Sequence, residues 1–515
     1  MKIQTMRLKD RFKIKNNKQN HIKNNNKYFE MKFSKFMVYY LRIIITIITL
    51  AAIGELGYYT LFKKSFLNIG LISLYIVLSS ITYFVIKKKV NKRIMISLML
   101  FIGLVLRIIW TFSLTNVPVS DFSQAYKAAI SINNGDYSPM MGTSYFGRFP
   151  HLTILILYFS RMILIFKENS LIAIKIMNII FSTSTILLIY LILNEVFKEY
   201  KTIVIGTFIS AIMPASILYT PVYCSENIAI PFYLASLYCF ILVMNKKKKD
   251  KLLIVSGILL FIGHLFRMVA QIIVIGYILY IIIYYRKSVV NKFKNTCYIL
   301  CSFIIPFIII SNLLVSVGIT DQKLWNGSEP HVTSMLKGSN IENFGQWNEG
   351  DAKFINENLK NREYLEITSK NKIIDRYMNT NIIKTSIFII GKISMQWCEG
   401  DSGGAFWAQL NLDNDKYKID IYNKGNIWYQ IFHVLLLIGV LKGLFNKKMY
   451  LENKIINIFY IIFCGYGLTF LILESQSRYA FIINWNLLIL SLTSIQTSSK
   501  DVLPVTDRQN LIANK

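Results

Sequence analysis

Asp121 stands in Val117-Pro118-Val119-Ser120-Asp121-Phe122, just past an apolar run that itself carries Arg107. A carboxylate at a membrane boundary suits a general base that takes a proton from an acceptor hydroxyl. It also suits a helix cap, because Asp satisfies free N–H groups at a helix start. A second acid, Glu226, follows Pro221-Val222-Tyr223-Cys224-Ser225 at the mouth of two further apolar runs. It reads as a helix-start acid or as a second carboxylate that orients the acceptor. Arg267 interrupts a long apolar run, and an arginine within lipid costs about 2.5 kcal/mol or more, which makes it functional by default. Its structural alternative is a partner acid such as Glu55. Arg478, in Glu474-Ser475-Gln476-Ser477-Arg478-Tyr479, is either an interfacial snorkeller beside an aromatic belt or a phosphate ligand. Lys175, Arg107 and Arg161 have the same two readings.

The elements that must carry these groups follow from composition. Of 515 residues, 54% are hydrophobic and only 17% charged, against about a quarter charged in soluble proteins. Apolar runs recur near 37–62, 66–86, 94–114, 150–166, 170–195, 202–222, 226–244, 252–285, 296–317, 427–445, 455–473 and 479–495. About 20 helical residues cross a bilayer. The expected fold is an all-α polytopic membrane protein.

The net charge of +30 does not point to nucleic acid, because the basic residues form short blocks between apolar runs. These are Lys87–Arg93, Lys246–Lys251, Arg286–Lys294 and Lys447–Lys454, and the positive-inside rule puts such blocks in the cytoplasm. Placing them all there makes 252–285 two short helices that turn near Arg267 and lays 150–166 along the outer interface. The result is about 12 spans with both termini cytoplasmic. Outside lie the first outer loop 115–169, the turn at Tyr223–Glu226, the large loop 318–426 and Glu474–Arg478. Charge parity also keeps the apolar stretch Thr385–Trp397 outside, against the membrane surface.

The domain reading is a disordered basic tail at 1–36, two extra helices within 37–93, a catalytic core at 94–317, the outer loop 318–426, C-terminal helices at 427–495 and a cytoplasmic tail at 496–515. No cleavable signal peptide is expected. The loop holds Lys337-Gly338-Ser339-Asn340 and Gly345-Gln346-Trp347-Asn348. Amides and an indole make Asn340, Trp347 and Asn348 candidate sugar contacts. The six cysteines lack CxxC spacing and sit mostly in apolar runs, so neither a disulfide framework nor a zinc site is expected. No His cluster, Walker, GxGxxG or HExxH pattern occurs.

Taken in order along residues 94–495, these short motifs resemble the GT-C superfamily of polyprenyl-phosphate-dependent glycosyltransferases. The closer likeness is to the bacterial protein O-mannosyltransferase and aminoarabinose-transferase group. The resemblance implies a GT-C-like bundle with outer-face interfacial helices and one large outer loop. It implies Asp121 as base, Glu226 as acceptor-side acid, and Arg267, Arg478, Lys175 and Tyr479 at the lipid phosphate of the donor. Phe122 follows Asp121 where family members often pair two acids, which argues against a metal bridged at that loop; no cofactor is assigned, and a divalent metal stays the open alternative. An Ile/Lys/Asn-rich composition fits a low-GC bacterium, hence an undecaprenyl-phosphate-linked sugar, a cell-envelope glycan, lipid or protein as acceptor, and the outer face of the cell membrane as location. Two rivals remain. A polysaccharide polymerase or ligase would depend on Arg and His in the large late loop, and a lipid-linked sugar transporter or flippase would show inverted repeats.

Overall fold

In a bilayer every backbone polar group needs an internal partner, so apolar runs of this length resolve into helices. The computed structural model describes residues 2–63, 69–412, 421 and 426–496, with side chains described from 27 onward. Helices α1 (Lys2–Leu61), α2 (Ile69–Lys87) and α3 (Lys92–Phe112) open the chain. Helices α4 (Ser120–Asn133) and α5 (Thr153–Phe166) precede α6 (Ser170–Val196), α7 (Tyr200–Ile212) and α8 (Glu226–Met244). Next come α9 (Leu252–Phe266), α10 (Ala270–Tyr284) and α11 (Val289–Ser316). The following segment forms α12 (Val332–Gly338), α13 (Glu349–Asn358), α14 (Arg362–Met378), α15 (Ile382–Trp397) and α16 (Gly404–Gln409). Finally α17 (Asn426–Leu444), α18 (Ile456–Ile472) and a run of short helices over Ser477–Ser494 close the bundle. Among the described residues, eight stretches are long and apolar enough to span, and α9, α10 and α18 are shorter apolar helices. Among the described residues there is no strand, and the architecture is all-α and polytopic.

The run 252–285 breaks as the charge pattern requires. α9 ends at Phe266 and α10 begins at Ala270, with Arg267 extended between them. The pair folds back on itself, since Lys287 beyond α10 forms an ion pair with Asp250 before α9 at 3.2 Å. That end of the bundle gathers the basic blocks: Arg286 and Lys454 meet Glu30, and Lys247 meets Glu195. Arg267 lies at the other end.

Several expectations change. The backbone over residues 2–36 is helical and continuous with the first span, and Glu30 and Ser34 are tied to the bundle through Arg286, Lys454 and Tyr284. The tail 497–515 and residues 413–420 and 422–425 of the outer loop lie outside the described residues. Thr385–Trp397 is not wholly a surface element, because one face of it packs into the protein. The second half of α15 inserts into the bundle, with Trp397 4% exposed and its ring 4.9 Å from that of Phe463 in α18. His433 and Gln430 of α17 bond the carbonyls of Trp397 and Cys398. The apolar side chains of Phe388, Ile393 and Trp397 leave a buried face that water would not tolerate. Arg107 does not snorkel either. It is fully buried, with Nε donating to Ser182 and Nη1 to the carbonyls of Gly103 and Ala211.

A candidate active site between two arginine–carboxylate pairs

Proline shapes the approach to Glu226. Pro214 ends α7, and residues 211–222 leave carbonyls without helical partners. Polar side chains from three helices take them up. Arg107 and Trp110 bond the carbonyls of Ala211 and Leu218, Asn178 those of Thr220 and Val222, and Asn227 those of Tyr219 and Val222. This stapled loop delivers Glu226 to the first turn of α8.

Asp121 is delivered differently. α4 begins at Ser120, whose φ is +50°, a left-handed conformation costly for a residue with a side chain. The cap residue is Val119, so Asp121 does not cap. Its carboxylate turns away from the helix start to Arg478, Oδ2 to Nη2 3.3 Å, and accepts a hydrogen bond from Tyr145. Burial first, then the Asp121 charge, holds the Tyr145 phenol well above its ordinary pKa.

Arg267 pairs with Glu226, Nε to Oε1 3.3 Å, and not with Glu55, which lies beside Tyr59 and Glu399. Burial disfavours the Arg267 charge, but Glu226 and Tyr479 outweigh it and hold the guanidinium above its ordinary pKa. Tyr233 donates to the Arg267 carbonyl. A Cβ on Gly263 would fall 2.5 Å from the Tyr233 ring, so glycine there lets the tyrosine reach. Tyr479 joins the two pairs: the guanidiniums of Arg267 and Arg478 each lie 5.4 Å from its ring centre. Trp407 covers the other side of Arg478 at 5.0 Å.

Asp121, Glu226, Arg267, Arg478 and Tyr479 line one cavity of about 650 Å³, and Trp347 forms part of its wall. Lys175 is buried outside that wall, donating to the Leu114 carbonyl. Asn348 caps α13 through the Asp351 N–H, and it and Asn340 both donate to the Asp351 carboxylate instead of lining the cavity. Two further ion pairs share the wall: Arg148 with Glu329, Nε to Oε2 2.7 Å, and Lys337 with Glu474, 3.1 Å. All four carboxylates in the wall therefore face a cation. That donor set does not fit a divalent metal, which would have to displace a guanidinium or an ammonium. Among the described residues no group of three or more His, Cys, Asp or Glu could hold one.

The sequence reading missed Tyr145, the Arg148–Glu329 and Lys337–Glu474 pairs, and the strap that follows α15. In that strap Glu399-Gly400-Asp401-Ser402-Gly403-Gly404 is folded behind Arg478. Asp401 accepts from the N–H groups of Gly403 and Ala405, and Tyr219 bonds the Ser402 carbonyl. Burial pushes the Glu399 carboxyl up to about 7 and that of Asp401 up to about 6. Two acids among three glycines directly after an apolar helix was the available signal.

Residues 151–313 match the family model described as dolichyl-phosphate-mannose-protein mannosyltransferase. Glu226 and Arg267 fall inside that segment, and Asp121 and Arg478 outside it. No curated protein matches the chain. Among solved structures, the archaeal oligosaccharyltransferase AglB from Archaeoglobus fulgidus, in complex with an inhibitory peptide and a dolichol-phosphate, aligns at 15% identity with a TM-score of 0.45. The alignment covers 79% of this chain and 50% of that one, so the chain spans about half its length. The likeness to this mannosyltransferase family therefore extends over residues 151–313 and takes in only part of the cavity wall.

Proposed function

We propose that the chain transfers a monosaccharide from undecaprenyl phosphate to a hydroxyl of a cell-envelope acceptor, with inversion, at the outer face of the membrane. The observation that carries this reading is the Asp121 carboxylate on the same cavity wall as the Arg267 and Arg478 guanidiniums, at the bundle end away from the basic blocks. Asp121 takes the proton of the acceptor hydroxyl as its oxygen attacks the anomeric carbon. The bond from that carbon to the phosphate oxygen breaks, and the electron pair leaves with undecaprenyl phosphate. Arg267 and Arg478 meet the charge that develops on the phosphate, for which a planar guanidinium is well shaped. Glu226 fixes Arg267 and orients the acceptor.

The basic blocks at the opposite end support a cytoplasmic assignment for that end. Mass spectrometry of envelope glycans and lipid-linked sugars from a deletion strain tests the reading. The expected result is one missing sugar substituent with its undecaprenyl-phosphate donor accumulating. Unchanged glycans and no accumulated donor would contradict it.

A further inference from the structure

The outer segment is bolted to the backbone that leads to Arg478. The Glu474 N–H bonds the Ser334 carbonyl and the Ser475 N–H bonds that of Gly345, both at 3.0 Å. Lys392 holds the Gly338 carbonyl. A Cβ on Gly338 would fall 2.4–2.7 Å from the backbone of Leu473 and Glu474, so only glycine permits this approach. The join places Lys337, at the end of α12, in the same cavity wall as Arg267, Arg478 and Tyr479. Its side chain is 14% exposed, with Nζ 3.1 Å from Glu474, and Glu474 also accepts from Gln476. Tyr479 and Glu329 are close enough to act on the Lys337 charge, which stays favoured despite burial.

A buried lysine–glutamate pair adds little stability beyond what apolar side chains would supply. The backbone bonds already fasten the segment, so the charge calls for another purpose. We propose that Lys337 is the third cation of the phosphate site, supplied by the outer segment to the lipid phosphate that Arg267 and Arg478 hold. This rests on the reading of the cavity as a lipid-phosphate site. A lysine there offers a compact point charge beside two flat guanidiniums, which suits an oxygen that gains charge as the sugar departs.

Binding of undecaprenyl phosphate to the full chain in nanodiscs tests this, with undecaprenol as the uncharged lipid and inorganic phosphate as the lipid-free anion. Lys337→Gln is expected to weaken undecaprenyl phosphate binding about tenfold, the scale of one charge-assisted contact, and to leave undecaprenol unaffected. The double change Lys337→Met with Glu474→Gln removes the pair without stranding a charge, and it should keep the melting midpoint yet not recover affinity. Recovery in the double variant would overturn the proposal by reducing Lys337 to a clamp. Unchanged affinity in Lys337→Gln, with loss in Arg478→Gln, would overturn it and leave the phosphate-site reading standing. Unchanged affinity in both would overturn that reading as well. Lys337-dependent binding of inorganic phosphate without binding of the lipid would overturn the assignment to a lipid phosphate.

Discussion

Arg478 Nη2 lies 3.3 Å from Asp121 Oδ2 across 357 residues of chain. The proposed base and a proposed phosphate ligand are thus each other's partner before substrate arrives. Arg478 also has a buried Nε with no hydrogen-bond partner, between the rings of Trp407 and Tyr479. If a lipid phosphate must compete with Asp121 for this guanidinium, Asp121→Asn is expected to bind undecaprenyl phosphate several-fold more tightly than the native protein, on the order of one ion-pair contact. A binding titration checks this. Weaker binding in the variant would count against a shared guanidinium.

The second pair separates stability from catalysis. Arg267→Met strands Glu226, a side chain 8% exposed, and breaking such a pair costs about 3–5 kcal/mol. The double change Arg267→Met with Glu226→Gln should regain most of the lost melting midpoint while transfer stays abolished. Recovery of transfer along with the midpoint would show that Arg267 only balances Glu226.

Glu399 predicts a pH dependence. Its carboxyl is raised from 4.5 to about 7, and that of Asp401 from 3.8 to about 6. Between the ordinary and the raised values the folded protein binds more protons than the unfolded chain, so stability falls as pH rises through that window. The melting midpoint of the purified protein is expected to be higher at pH 5.5 than at pH 8. Glu399→Gln should flatten the slope, and an unchanged slope in that variant would assign the dependence elsewhere.

Orientation is tested by cysteine labelling from outside in a background lacking the six native cysteines. Positions 346 and 347 of the outer segment are expected to react, and position 246 is not. External labelling at 246 would reverse the placement of the site.

The sequence made much of this visible, for identifiable reasons. Length and hydropathy specify helices in lipid, and basic blocks mark one bundle end. The misfit of Arg267 in an apolar run signalled the break that the structure places between α9 and α10. Asp121, Glu226, Arg267 and Arg478 stood out because charge at a membrane edge is costly. Partner choice was not legible. Whether Arg267 meets Glu55 or Glu226 depends on packing between helices far apart in sequence. The pairing of Lys337 with Glu474 could not be read, because nothing local shows that Gly338 docks on Leu473. The burial of α15 was missed because charge parity constrains where loops start and end, not whether a helix between them dips into the bundle.

The central claim is that Asp121 is the base and not a structural acid. The most direct measurement is single-turnover transfer from undecaprenyl-phosphate-linked sugar by the purified protein, native against Asp121→Asn, with donor binding and melting midpoint measured on the same samples. The account predicts transfer slowed by about 10² or more, the scale of a general base, with the fold intact and the donor still bound. Transfer within a few-fold of native in a folded variant that still binds donor would contradict it.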